Sequence, residues 1–206
     1  MAEFDSPPRL RAEEIQAELS GALIGRQIVV LEEATSTNDS ILQMATGGAP
    51  EGLVVFAEHQ NAGRGQHGNR WESAARQGLW FSILLRPKID LTESARLTTW
   101  AAGTVATTIT NELSLDAIVK PPNDVYVAGR KIAGVLVEMR AQEGASHLAI
   151  VGIGINVHQS AQDFPEEIRA GAISLAMAVG REVNRRKFAV ALLRNLERTY
   201  GAAVAL

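Results

Sequence analysis

Between residues 117 and 139 two prolines and two β-branched runs leave the backbone little choice. Val125 to Val127 and Val135 to Val137 flank Ala128-Gly129-Arg130, and a short glycine-containing loop between such runs is a hairpin signal. The spacing predicts a β-hairpin over residues 123–139. Pro121 and Pro122 forbid helix and predict an extended approach that leaves Asn123 and Asp124 at a strand entrance. Lys131 opens the second strand, and Gly134 leaves a bare backbone position where another group can come close. One carboxylate, one amide, one ammonium and one glycine therefore gather on one hairpin. A surface hairpin with solvated charges would explain the same residues, so a functional reading needs support from the rest of the chain.

Composition narrows the classes. The 206 residues are 46% hydrophobic, ample for the core of one compact domain. With 20 basic against 23 acidic residues the net charge is -3, so no overall basic field attracts nucleic acid. The absence of cysteine excludes disulfides and thiolate chemistry and suits a reducing cytoplasm. His59, His67, His147 and His158 show no ligand spacing, so no structural zinc is expected. No apolar run approaches the roughly 20 residues of a membrane span, and the acidic, proline-containing start does not read as a signal peptide. A soluble cytoplasmic protein is expected.

Taken in order, the chain alternates helical and extended patterns. Arg9 to Leu19 reads as an amphipathic helix stopped by Gly21, and Gln27 to Glu33 as a strand. Thr35-Ser36-Thr37-Asn38-Asp39 is a cluster of cap-forming residues before a helix over Ile41 to Ala45. Capping uses one or two of these side chains, which leaves the others for a ligand. Leu53 to Ala57 is an apolar strand running into a loop, residues 58–71, in which Gly63, Gly65 and Gly68 spell GxGxxG. A dinucleotide fingerprint needs a helix next, but Gly78 to Leu85 reads as a strand. A Walker A loop fails as well, because Asn69-Arg70 follow Gly68. The loop is therefore expected to be a flexible flap that wraps an anionic ligand and offers the face of Trp71. Leu97 to Leu113 and Lys187 to Leu206 read as packing helices, and His147 to Val157 as a strand whose Gly152 and Gly154 permit close approach. Strands joined mainly by hairpins and interrupted by helices predict an α+β fold, a mixed and largely antiparallel sheet with helices packed on it. Its glycine-rich strand ends, near residues 63, 134 and 152, would converge on one face.

Five stretches, in order, resemble the catalytic domain of biotin protein ligases over about residues 23–200. They are Ser36-Thr37-Asn38, Gln60-Asn61-Ala62-Gly63-Arg64-Gly65 with Trp71, Lys120-Pro121-Pro122-Asn123-Asp124, Lys131-Ile132-Ala133-Gly134, and Gly152-Ile153-Gly154-Ile155-Asn156-Val157. The resemblance implies a ligase that joins biotin to ATP and passes the biotinyl group to a lysine of a biotin carboxyl carrier protein. It implies that Ser36, Thr37, Asn38, Gln60, Gly63, Arg64, Gly134 and Gly152 hold biotin, and that Lys131 meets the biotin carboxylate and the α-phosphate. Gly65, Gln66, His67, Asn69, Trp71, Asn123, Asp124 and Asn156 would hold ATP or the adenylate, with Lys131, Arg64 and Asp124 as the catalytic set. Magnesium is expected with the nucleotide, its ligands unassigned, and homodimerisation is left open.

Three departures from the family pattern stand out. Pro121 replaces a usual tryptophan, Gln66, His67 and Asn69 replace usual arginines, and the chain stops at Leu206 where relatives continue into a small β-barrel domain. One domain over 1–206 is expected, without that barrel and without the N-terminal winged helix of repressor-type relatives. The alternatives are a lipoate or octanoyl transferase of the same fold, for which the Arg-Arg and triple-glycine pattern is missing, and a non-catalytic biotin-binding relative.

Overall fold

The structure, a computed structural model, describes residues 7–19, 21–142 and 146–205. Seven strands form one sheet: β1 (Gln27–Ala34), β2 (Leu53–Gln60), β3 (Gly78–Leu85), β4 (Ala117–Lys120), β5 (Asp124–Val127), β6 (Arg130–Arg140) and β7 (Leu148–Asn156). Their order is β1-β2-β3-β7-β6-β5-β4; β1 and β2 run parallel and every other neighbouring pair antiparallel. The expected mixed, largely antiparallel sheet is what the chain builds.

Period-2 alternation sorts the side chains to two faces. Val54, Phe56, Phe81, Ile83, Val151, Ile153 and Ile155 enter the main core, covered by α1 (Ala12–Ala17), α3 (Ser94–Leu113) and α6 (Arg185–Val204). Leu53, Val55, Leu84 and Ile150 point the other way, into a small cluster with Ile41 and Ala45 of α2 (Thr37–Thr46). That helix covers only part of this face. Its first turn seats on Ser82 of β3 and Gly152 of β7, and beyond it the same face presents Gly154 on β7 and Gly134, Leu136 and Glu138 on β6, aligned by the registers Ser82↔Gly152, Leu136↔Gly152 and Gly134↔Gly154. A sheet face with few large side chains and no helix over it is a trough.

Several elements differ from the sequence reading. The first helix is confined to Ala12–Ala17, shorter than Arg9 to Leu19: its N-cap Arg11 is extended, and the Pro8 carbonyl and Leu10 N–H before it are bonded to a buried ion pair described below. The second helix starts at Thr37 with Ser36 as its cap, four residues before Ile41, because the polar first turn is buried against the sheet. Ala117–Lys120 is itself a strand, paired Lys120↔Asp124 with β5, so Pro121 and Pro122 form a turn and not an open approach. The β5–β6 loop is two residues long, Ala128 and Gly129, both with positive φ, as a twist-matched hairpin turn requires. Two short helices between β7 and α6, α4 (Glu166–Arg169) and α5 (Leu175–Val179), carry too few turns for a periodic signal. The final helix runs from Arg185 to Val204; Leu206 lies outside the described residues.

Candidate active site

Two adjoining hollows occupy the trough. The first, about 240 Å³, is lined by Ser36, Thr37, Asn38, Gln60, Arg64, Asn123, Asp124, Gly134 and Gly152, with Gly65, Gln66, Asn69 and Trp71 over it. The second, about 450 Å³, is lined by Tyr126, Asn156, Phe164, Ile168 and Ala172. Asn69, Arg70, Trp71 and Lys131 border both. Arg64, Arg70, Lys120 and Lys131 line the first hollow, and three of them face carboxylates: Arg64 those of Asp39 and Glu138, Arg70 that of Glu72 and Lys131 that of Asp124.

The closed end of the first hollow is a polar network. Thr37 N–H donates to Gln60 Oε1 at 2.8 Å, and Gln60 Nε2 donates to Ser73 Oγ at 3.0 Å. The Ser82 hydroxyl lies 2.6 Å from Asn38 Oδ1 and 2.7 Å from Thr37 Oγ1, and Asn38 Nδ2 donates to Glu138 at 2.6 Å. These bonds fix the amide orientations of Gln60 and Asn38. Gly152 is bare because Asn38 occupies the space: a Cβ there would lie 2.3 Å from its Oδ1. Glu138 also accepts from Arg64 at 2.9 Å, while the other end of that guanidinium donates to Asp39 at 2.5 Å. The hydrogen bond that Arg64 donates to Asp39 is the largest influence on the guanidinium and, with the one donated to Glu138, raises its pKa against the opposing effect of burial.

At the opposite end of the hollow Lys131 Nζ lies 2.7 Å from Asp124 Oδ1 and 5.3 Å from the Trp71 ring centroid. That Asp124 oxygen receives no aligned hydrogen bond among the described residues, so the pair is held by charge alone and keeps bonding capacity. The main chain of Lys131 is anchored, with its N–H donating to Gly171 O at 2.7 Å and its carbonyl accepting from Ile173 N at 3.0 Å. Trp71 sits on the bare Gly134–Gly154 pair and edge-on to Trp80; a Cβ at Gly154 would approach its ring to 2.5 Å and one at Gly134 to 2.9 Å. The glycine-rich loop folds back on itself through Gly65 N–H to Asn69 O and Trp71 N–H to Gly63 O, around a 3₁₀ turn at Gln66–Gly68. It closes as a small flap over the trough.

A neutral polar pocket, a cationic seam and an aromatic wall beneath a glycine-rich flap match what the sequence comparisons find: residues 30–156 match the biotin/lipoate A/B protein ligase family. The chain belongs to that family. It is 36% identical over 194 residues to the bifunctional ligase/repressor BirA of Bacillus subtilis, covering 94% of this chain and 60% of that protein. It is 34% identical to the biotin--[acetyl-CoA-carboxylase] ligase of Mycobacterium tuberculosis, over 92% of this chain and 70% of that one. The biotin protein ligase from Aquifex aeolicus in complex with biotin and ATP superposes with a TM-score of 0.73 at 29% identity, covering 87% of this chain and 72% of that chain. The chain thus spans about 60% of the length of the BirA relative.

Within this ligase-family cleft the sequence-predicted residues fall into two groups. Ser36, Thr37, Asn38, Gln60, Arg64, Gly65, Gln66, Asn69, Trp71, Asn123, Asp124, Lys131, Gly134 and Gly152 share the first hollow. Gly63 lies just behind it, with no room for a side chain because the Trp71 carbonyl would be 2.5 Å from its Cβ. Asn156 is set apart, on the second hollow, buried and bonded to Ile173 O and Gln159. Asn123 is partly committed to the fold, donating to Val135 O at 3.0 Å. His67 lies in the 3₁₀ turn, its side chain outside the described residues. Three residues of the network were missed by sequence reasoning, Ser73, Ser82 and Glu138, while Asp39 was read only as one of the cap-forming cluster. Ser82 did carry a signal, a lone hydroxyl in the otherwise apolar Gly78–Leu85 strand. Glu138 carried none, since a charged residue on a strand is ordinary.

Proposed function

We propose that this cleft joins biotin to ATP, forming biotinyl-5'-adenylate and pyrophosphate, and then passes the biotinyl group to a lysine of a biotin carboxyl carrier protein. The observation that carries the reading is the Lys131–Asp124 pair at the seam of the two hollows, beside Trp71. A carboxylate oxygen attacking an α-phosphorus sets anion against anion, and a cation fixed where they meet stabilises the transition state. Biotin would fill the first hollow with its ureido ring against Asn38, Thr37, Gln60 and Ser36, and its carboxylate toward Lys131. The nucleotide would extend across Trp71 into the second hollow, past Asn156 and Phe164. In the second step a neutral lysine amine attacks the acyl carbon, AMP leaves, and the amine proton is lost to solvent or base. The names of the M. tuberculosis and A. aeolicus relatives support this reading.

Among the described residues no group of three or more His, Asp or Glu gathers as a metal site. Magnesium would therefore be held largely by phosphate oxygens, with Asp124 as the carboxylate at hand; it would neutralise phosphate charge. Biotin is favoured over lipoate because the closed end is polar: an apolar dithiolane would leave buried amide and hydroxyl groups unpaired. None of the helices described is long and apolar enough to cross a membrane, and we place the reaction in the cytoplasm.

The test is pyrophosphate release with ATP and either biotin or lipoate, alongside melting. A ligand at 100 times its dissociation constant adds about 2.7 kcal/mol, which for a chain of this size raises Tm by roughly 5–11 °C. Biotin should do so and lipoate should not. An equal shift with lipoate, or none with saturating biotin, overturns the assignment.

A further inference from the structure

Arg64 leaves the base of the flap, immediately after β2, and reaches Glu138 on β6. In the order β2-β3-β7-β6 that link crosses two strands, over the floor of the first hollow. Its second arm ends on Asp39 in the first turn of α2. Glu138 is the hub, since one oxygen, Oε2, accepts from both Arg64 and Asn38. The guanidinium is thereby occupied at both ends, and Lys131 is left to meet the reacting anions at the other end of the cleft.

We infer that Asp39 and Glu138 are positioning residues that hold Arg64 as a strap across the biotin end of the cleft, keeping the flap closed. The inference rests on the proposed reading of the site for its substrate, but the strap itself is a property of the protein without ligand. Three segments of distant sequence meet at one guanidinium: the flap base, the helix that presents Ser36 to Asn38, and the strand that carries Gly134. Cutting the Asp39 arm frees the flap to swing while leaving the pocket groups in place. Biotin should then escape faster, and the chemical step, which belongs to Lys131, should suffer less.

The experiment compares the wild-type protein with Asp39→Asn, Glu138→Gln and the conservative Asp39→Glu, in two readouts. The first is hydrogen exchange without ligand at the amides of Gly65, Asn69 and Trp71. Exchange should rise about two- to five-fold in Asp39→Asn, the scale of an exposed ion pair, with strand β3 unchanged and Asp39→Glu restored toward wild type. The second is pyrophosphate release, in which KM for biotin should rise by a similar factor while kcat changes less. Glu138→Gln should show the larger rise because Asn38 loses its charged acceptor. Unchanged flap exchange in Asp39→Asn overturns the strap, and faster exchange with an unmoved KM overturns its positioning role and makes the contact merely structural. If the wild-type protein releases no pyrophosphate from ATP and biotin, the proposed reaction falls instead, and the exchange comparison still decides whether the strap exists.

Discussion

Arg185 and Lys131 each face a carboxylate at short range, 2.8 Å to Glu58 and 2.7 Å to Asp124, in very different surroundings. The Arg185 and Glu58 side chains are 3% and 1% exposed, and all their polar atoms but Arg185 Nε, which is buried without a partner among the described residues, bond to protein groups. Arg185 also donates to Gly78 O and Pro8 O, and Glu58 accepts from Leu10 N at 2.6 Å. Such a pair has exchanged its water for protein groups and can give nothing to a ligand. It stitches the chain start, β2, the start of β3 and α6 together. The Lys131–Asp124 side chains are 33% and 23% exposed, and Asp124 keeps an oxygen without an aligned donor. Distance alone does not separate a structural ion pair from a working one; among the described residues each pair keeps one polar atom without a hydrogen-bond partner, but only the Lys131–Asp124 pair is open to the cleft.

The contrast can be broken at its buried end first. Arg185→Ala leaves Glu58 charged and enclosed, which should cost about 3–5 kcal/mol and lower Tm by roughly 6–20 °C. Calorimetry checks this, and the protein that remains folded should keep its KM for biotin. A loss of only a degree or two would erase the distinction. Lys131→Ala is the counterpart: adenylate formation should fall about 10² to 10³ fold with Tm within about 2 °C of wild type. A Tm loss like that of Arg185→Ala would mark the cleft pair as scaffold.

The smallest expected effect concerns Gln66, which lines the first hollow. Of the flap's arginines, Arg64 is bound to Asp39 and Glu138, and Arg70 lies 3.1 Å from Glu72. A reactive mixed anhydride is safe only while the flap retains it and excludes water. Gln66→Arg adds a charge-assisted bond to the phosphate, about twice the strength of a neutral one, and should slow adenylate release several-fold, by about 1 kcal/mol. A chase experiment with trapped adenylate measures it. Equal release rates would show that charge at this position does not govern retention.

What could be read from the chain beforehand follows from how local each cause is. The Val125–Val127 and Val135–Val137 runs, the cap-forming cluster before the second helix and the strand Gly78–Leu85 are specified by neighbours in sequence, and all were legible. The strand Ala117–Lys120 was not, because four residues give little alternation and the prolines read as a boundary. Among site residues, the glycines and polar motif residues announced themselves by type. Ser82 and Glu138 could be found only from the register of β3, β7 and β6 and the seating of α2 on them, and Ser73 only from its bond to Gln60. Glu58 and Arg185, separated by 127 positions, show the same limit in the core.

The seat beneath Trp71 is a mould cut into the main chain. Its depth is the length of two missing carbon atoms, at Gly134 and Gly154, and its width is the spacing of two paired strands, about 4.5–5.5 Å. Ordinary pockets owe their shape to side chains that can exchange volume with one another, so a methyl gained at one wall can be offset at the next. This one has no such reserve, because the backbone cannot retreat without tearing the ladder on both sides. Gly134, Gly154 and Trp71 therefore behave as one inherited unit. A methyl at either glycine would lift the ring from its seat, and with it the wall that divides the two hollows.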